Sequence, residues 1–236
     1  MRVVLIHGSL DRSSAFARTA RLLADLDVVR YDRRGYGRSL AAGPCLRFAD
    51  QVDDLAAIVD GRPAVLAGHS LGGVVALAFA QRHPALAPAV VAYEAPMPWE
   101  PWWPSVTAGG AAMADDSDPA DAAERFMRRM IGDERWEALP SGTRDQRRAE
   151  GPALVAELRA VREPGRAPYV SEEVAVPVVA AHGTQSAPHH QAAARALAER
   201  APLGVLEVVD GAGHGVHLTH PAALAGLVRR AVSLAG

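Results

Sequence analysis

Gly68-His69-Ser70-Leu71-Gly72-Gly73 joins an apolar run at 64–67 to a second at 74–80. Apolar run, glycine-framed serine and apolar run together read as strand, sharp turn and helix. A G-x-S-x-G sequence in that setting is the signature of a nucleophile elbow. The serine must adopt a strained backbone conformation for its hydroxyl to stand clear of the sheet. Small residues two positions to either side then let strand and helix approach closely. The helix behind it turns its N-terminal amides toward any negative charge that develops there. A glycine-rich turn with an incidental serine would use the same letters, so the rest of the chain has to decide.

Upstream, residues 2–6 form a short apolar run suited to a strand buried on both faces, and it ends at the turn His7-Gly8-Ser9-Leu10. Residues 13–26 carry Phe16, Ala20 and Leu23 at helical spacing, and 28–31 reads as the second strand. The loop 32–39 is polar and punctuated by glycine, and 46–59 is an amphipathic helix with Phe48, Val52, Leu55 and Val59 on one stripe. Downstream of the elbow, its helix stops at His83-Pro84 and 89–93 is the fourth strand.

From Glu94 the texture changes. Residues 95–173 open with a Trp/Pro cluster containing Trp99, Trp102 and Trp103, and continue with polar helical stretches at 119–131 and 143–162. No strand pattern occurs there, and an interruption of about 80 residues is too long for an unstructured loop, so it reads as a helical cap. The alternation resumes with a strand at 176–181, a helix at 189–200 and a strand at 205–209, followed by a loop at 211–217 and a last helix opened by Pro221. The expectation is an α/β fold: a doubly wound, mainly parallel six-stranded sheet formed by 1–94 and 174–236, with the cap at 95–173.

Composition narrows the function. A chain of 236 residues can build one sizeable core, and a net charge of −2 gives no reason to expect nucleic acid or a membrane surface as partner. Every basic residue is arginine and asparagine is absent, which excludes a lysine Schiff base and an active-site asparagine. Cys45 is the only cysteine, so no internal disulfide forms, and a reducing cytoplasm is the expected home. Neither a signal peptide nor a membrane-length apolar span is visible. Oligomeric state is not legible.

The elbow, the early His7-Gly8 turn, the 32–39 loop and the late Gly213-His214 loop, in that order within a strand–helix frame, resemble the α/β-hydrolase superfamily. The resemblance covers most of the chain outside 95–173. It implies Ser70 as nucleophile, His214 as general base, and the backbone amides of Leu71 and Ser9 as the oxyanion hole, each such donor commonly worth about 10²–10³ in rate. The sequence departs from the family in two places. Family members usually begin with an antiparallel hairpin, whereas here the sheet should be trimmed and parallel throughout. The usual acid position is also vacant: His182-Gly183-Thr184-Gln185-Ser186 stands where the pattern places an aspartate.

Without an anion the imidazole lacks its tautomer lock and the stabilisation of its protonated form. Either the acid has moved, or the enzyme is crippled or does different chemistry. A moved acid has a candidate in Glu94, at the end of the strand after the elbow unit, where some superfamily members place it; Tyr93-Glu94-Ala95-Pro96 also looks like a group of hydrolases with a replaced acid loop. The bland alternative is a solvated carboxylate at the mouth of the cap.

Other features have plain readings. His214, His217 and His220 are spaced by three, as in some metal sites, but Gly211, Gly213 and Gly215 make the stretch a loop, so neither metal nor other cofactor is expected. His189-His190 should diverge on a solvated helix start, and His69 should be a packing residue. Asp32 and Arg33 should brace the loops, and Cys45 should be inert. Trp99, Trp102 and Trp103 either line a substrate pocket or form the core of the cap.

The expected function is a serine hydrolase that cleaves a small, largely apolar carboxylic ester, thioester or lactone through an acyl-enzyme. The alternatives are a lyase or C–C bond-cleaving enzyme in which Ser70 and His214 move protons, and a ligand-binding protein that has lost catalysis.

Overall fold

The computed structural model describes residues 1–114, 118–163 and 165–236. In chain order the elements are β1 (Arg2–Ile6), α1 (Ala17–Leu22), β2 (Asp27–Arg30), α2 (Phe48–Val59), β3 (Ala64–His69), α3 (Leu71–Arg82) and β4 (Val90–Tyr93). Then come α4 (Ala108–Ala112), α5 (Pro119–Ile131), α6 (Asp133–Glu137), α7 (Ser141–Ala149) and α8 (Gly151–Ala160). The chain returns to the sheet with β5 (Val178–Gly183), α9 (Pro188–Arg200), β6 (Gly204–Val209), α10 (Val216–Thr219) and α11 (Pro221–Leu234).

The six strands form one sheet in the order β2-β1-β3-β4-β5-β6, and every pairing is parallel. Side chains alternate between its faces with the two-residue period of a strand. Val4, Ile6, Leu66, Val90, Ala92, Val178 and Ala180 pack with α2, α3 and α9 on one face. Val3, Leu5, Val65, Val91, Val179 and Ala181 pack with Phe16, Leu23 and α11 on the other. Strands buried on both faces explain the unbroken apolar runs in the sequence. The strand order reverses between β1 and β3, and in open α/β sheets the carboxyl ends at such a switch point form a crevice.

Several boundaries move from the sequence expectation. The helix expected at 13–26 begins as a 3-10 turn at Ser13–Phe16 and ends by Leu23. The stretch 143–162 is two helices rather than one. Gly151 is in contact with the Pro119 carbonyl, where a Cβ would lie 2.0 Å from the oxygen, and Pro152 restarts the helix in a new direction. β5 starts two residues late because Pro177 lacks an amide; its carbonyl accepts from Val90 N–H at 2.9 Å instead. The 211–217 loop closes into the short α10. No helix among the described residues is long and apolar enough to cross a membrane.

The helices between β4 and β5 are held to the sheet by a buried charge pair. Arg33, on the loop after β2, and Glu157, on α8, are both fully buried and 2.8 Å apart. Tyr36 Oη donates to the other Glu157 oxygen at 2.6 Å, and Arg33 Nε donates to the His7 carbonyl at 2.8 Å. Removing one partner of such a pair leaves the other charge buried and uncompensated. Glu157→Ala should therefore cost about 3–5 kcal/mol in urea unfolding; a loss below about 1 kcal/mol would contradict this account of how the segment is anchored.

Candidate active site

The chain's reversal at the elbow depends on two glycines. A Cβ on Gly68 would lie 2.3 Å from the Gly72 carbonyl oxygen, and one on Gly72 would lie 2.2 Å from the Ile6 carbonyl oxygen. With both absent, β3, α3 and the end of β1 come into direct backbone contact. Ser70 sits between them at φ 52°, ψ −126°, its N–H donating to the Tyr93 carbonyl at 2.8 Å. A non-glycine residue in that region costs about 1–3 kcal/mol and persists only where its surroundings impose it. Leu71 opens α3, so its N–H is one of the unpaired amides at a helix N-terminus. The His7-Gly8 turn lies against Ser70, and Ser9, Ser70 and Leu71 all line one cavity of about 330 Å³.

Glu94 follows β4 and is also left-handed, at φ 49°. It is not solvated: it has no exposed surface, and one carboxylate oxygen lies 2.6 Å from His214 Nδ1. Ser186 Oγ donates to the other oxygen, which also accepts from Gly183 N–H at 3.3 Å. Burial opposes ionisation, but contacts from His214, Ser186 and Gly183 outweigh it and hold the carboxyl below the usual glutamate value. Ser186, at the position where the family pattern places an acid, therefore supplies a donor to Glu94.

His214 lies in the loop after β6 and lines the same cavity. Tyr93 Oη donates to the Gly213 carbonyl at 2.9 Å, and His69 Nε2 donates to the His214 carbonyl at 2.7 Å, so residues on both sides of the elbow position this loop. His69 is therefore a packing residue by its contacts. His7 accepts from Arg33 N–H at Nε2 and donates from Nδ1 to the Gly8 carbonyl, which fixes it as a neutral tautomer. Burial, then Arg33, lowers its pKa to about 3, and burial followed by the neighbouring His217 and His214 holds His69 well below the ordinary value.

The His189-His190 expectation is overturned. Pro188 starts α9 at the carboxyl edge of the sheet, so its first turn faces the cavity rather than solvent. The His190 ring stacks on His214 at 4.5 Å and 25°, and His189 packs against Trp103 at 4.8 Å. A helix start directly after the strand bearing the vacant acid position was the available signal. Of the tryptophans only Trp103 lines the cavity. Trp99 packs edge-on against Tyr169 beside the core, and Trp102 is 38% exposed, because the loop before α4 turns each ring a different way.

The three histidines spaced by three do not converge. His214 meets Glu94, His217 Nε2 lies 3.1 Å from Asp11, and His220 contacts Thr219. Asp32 accepts from the Ser13 and Arg38 amides at 2.7 and 2.9 Å and braces the loops. Cys45 is buried, and burial raises its thiol to about 11.

Neutral burial of His7 and His69 has a measurable sign. Their folded pKa values lie below the unfolded one, so between the two the unfolded chain binds more protons. Stability is then full above about pH 6.5 and falls below it, by about 1.4 kcal/mol per pH unit for each group. Urea unfolding should show a loss of about 2 kcal/mol between pH 7 and 5 from His7 alone, with His69 adding to it in the same direction; equal stability at the two values would contradict the neutral assignments.

A family model described as "Alpha/beta hydrolase family" matches residues 3–227. Pimeloyl-[acyl-carrier protein] methyl ester esterase of Aromatoleum aromaticum is 32% identical over 248 residues, covering 98% of this chain and 97% of that protein. Lysophospholipase L2 of Escherichia coli is 37% identical over 155 residues, 58% of this chain and 44% of that protein, so the chain spans under half of that relative's length. The enol-lactonase from Burkholderia xenovorans has the same fold, with a TM-score of 0.76 at 20% identity over 98% of this chain and 91% of that one. The family match runs through the elbow, the Glu94 turn and the His214 loop alike, and the chain belongs to the alpha/beta hydrolase family.

Proposed function

We propose that the protein is a serine hydrolase of small, largely apolar carboxylic esters, thioesters or lactones, working through an acyl-enzyme. The observation that carries this reading is the 2.6 Å contact between buried Glu94 and His214 Nδ1, with His214 and Ser70 lining one cavity. Glu94 fixes the tautomer with the proton on Nδ1, which leaves Nε2 free to accept one. In that reading Ser70 Oγ attacks the substrate carbonyl carbon and its proton passes to Nε2. The resulting oxyanion is met by the Leu71 and Ser9 amides. Collapse breaks the carbonyl–leaving-group bond, and the leaving oxygen or sulfur takes the proton from His214. A water then repeats the sequence on the acyl-enzyme and releases the acid.

The helices between β4 and β5 act as a cap in this reading. Phe126 and Leu158 on these helices, with Val106 on the loop before α4, supply apolar walls for the acyl or alcohol chain. The volume of about 330 Å³ lies at the low end of small-molecule sites, which favours a compact substrate. The names of the Aromatoleum and Escherichia relatives both describe ester hydrolysis, which supports the reaction class. The partner in this reading is a small molecule.

A fluorophosphonate probe tests the proposal. Intact mass should show one adduct per chain, absent from Ser70→Ala. An adduct that survives this substitution, or no labelling of the wild type, would overturn the assignment of Ser70.

A further inference from the structure

The cavity beside Ser70 carries charge of one sign. Arg129 on α5 and Arg162 just beyond α8 both line it, and no carboxylate among the described residues does. Elsewhere in the same helices arginines meet acids. Arg128 reaches Glu124, Asp133 and Glu137, Arg148 reaches Asp121 and Glu124, and Arg144 reaches Glu137. Arg162 has no ion pair among the described residues. Its Nη1 donates to the Leu158 carbonyl at 3.2 Å, one turn back in α8, and its side chain lines the cavity.

That placement is accommodated by the backbone. Gly109, in the lining helix α4, lies against the guanidinium; a Cβ there would stand 2.7 Å from Arg162 Nη2 and 3.3 Å from Leu158 Cδ2. Burial alone, with no acid to oppose it, moves the Arg162 pKa below the ordinary arginine value. A guanidinium stays charged in proteins, so the partly desolvated charge waits for an anion from outside the chain. A planar fork of this kind pairs best with a carboxylate through two parallel N–H···O bonds.

We infer that the substrate bears a carboxylate in addition to its scissile carbonyl, and that Arg162 binds this carboxylate within the cavity. Arg129, exposed near the end of α5, adds positive potential at the mouth and draws such an anion in. The apolar walls take the carbons between the two groups. One compact molecule thus spans Ser70 at one end and Arg162 at the other. This rests on the hydrolase reading for the identity of the carbonyl, although binding at Arg162 needs no chemistry at Ser70.

Calorimetry with two unreactive amides separates the alternatives. Glutaramate carries a carboxamide in place of the ester and a carboxylate at the far end; pentanamide has the same chain length and no charge. The wild-type protein should bind glutaramate at least tenfold more tightly than pentanamide, and added salt should narrow the gap. Arg162→Gln should abolish the preference, and Arg162→Lys, which keeps the charge without the fork, should retain part of it. Equal affinities in the wild type, a preference that survives Arg162→Gln, or no glutaramate binding would each overturn the inference. Ser70→Ala should keep the preference. Absence of fluorophosphonate labelling in the wild type would sink the hydrolase reading while leaving the calorimetric result standing.

Discussion

The contact between Glu94 and His214 ties together the ends of three neighbouring strands. Glu94 follows β4, Gly183 and Ser186 close β5, and His214 lies in the loop after β6; these strands are adjacent in the sheet. A carboxylate without exposed surface is expensive to bury unless its oxygens are met by donors. Here an imidazole, a hydroxyl and a backbone amide meet them. The left-handed φ at Glu94 turns the chain at the point where this becomes possible, so local strain is exchanged for a satisfied charge. On the other side Ser70 follows β3 and His7 follows β1, so the site is laid across the sheet in strand order.

The surroundings of that contact keep other charges out of the way. His7 and His69 are held neutral by burial, and their hydrogen bonds position backbone rather than move protons. His190, also held well below its ordinary pKa by burial and then by His214, lays a neutral ring on His214. A second cation there would repel a protonated His214. The positive charge that does face the cavity, on Arg129 and Arg162, comes from the helices between β4 and β5. The carboxylate that meets the histidine is thus built into the sheet edge, and the positive charge that faces the cavity is built into the segment above it.

The parts of this arrangement that were legible in the sequence are those enforced by local sterics. Gly68 and Gly72 announce the elbow because backbone approaches within 2.3 Å of where their Cβ atoms would be. The parallel sheet was legible because strands buried on both faces leave unbroken apolar runs. Glu94 could be nominated from the vacancy at Ser186, its place at a strand end and the Tyr93-Glu94-Ala95-Pro96 stretch, but nothing in the spacing said that Ser186 would donate to it. His189 and His190 were misread because adjacency on a helix does not tell where the first turn of that helix is set down. The tryptophans were divided by tertiary packing: three rings in one irregular loop go to the cavity, the core and solvent. The break at Gly151 was hidden because 143–148 carries no apolar residue whose spacing could mark where one helix ends and the next begins. Arg162 was invisible for a deeper reason, since the lack of a partner exists only in three dimensions.

The account stands or falls on Glu94 as the charge that orients and stabilises His214. The most direct measurement is kcat/KM of Glu94→Gln against wild type on one activated ester, with folding checked by urea unfolding. The substitution keeps shape and removes charge; an analogous amide replacement in a well-studied triad costs about 10⁴ in kcat. A loss of about 10²–10⁴ is predicted here. Retention of more than about a third of wild-type kcat/KM, a loss under roughly 0.7 kcal/mol, would remove Glu94 from the triad.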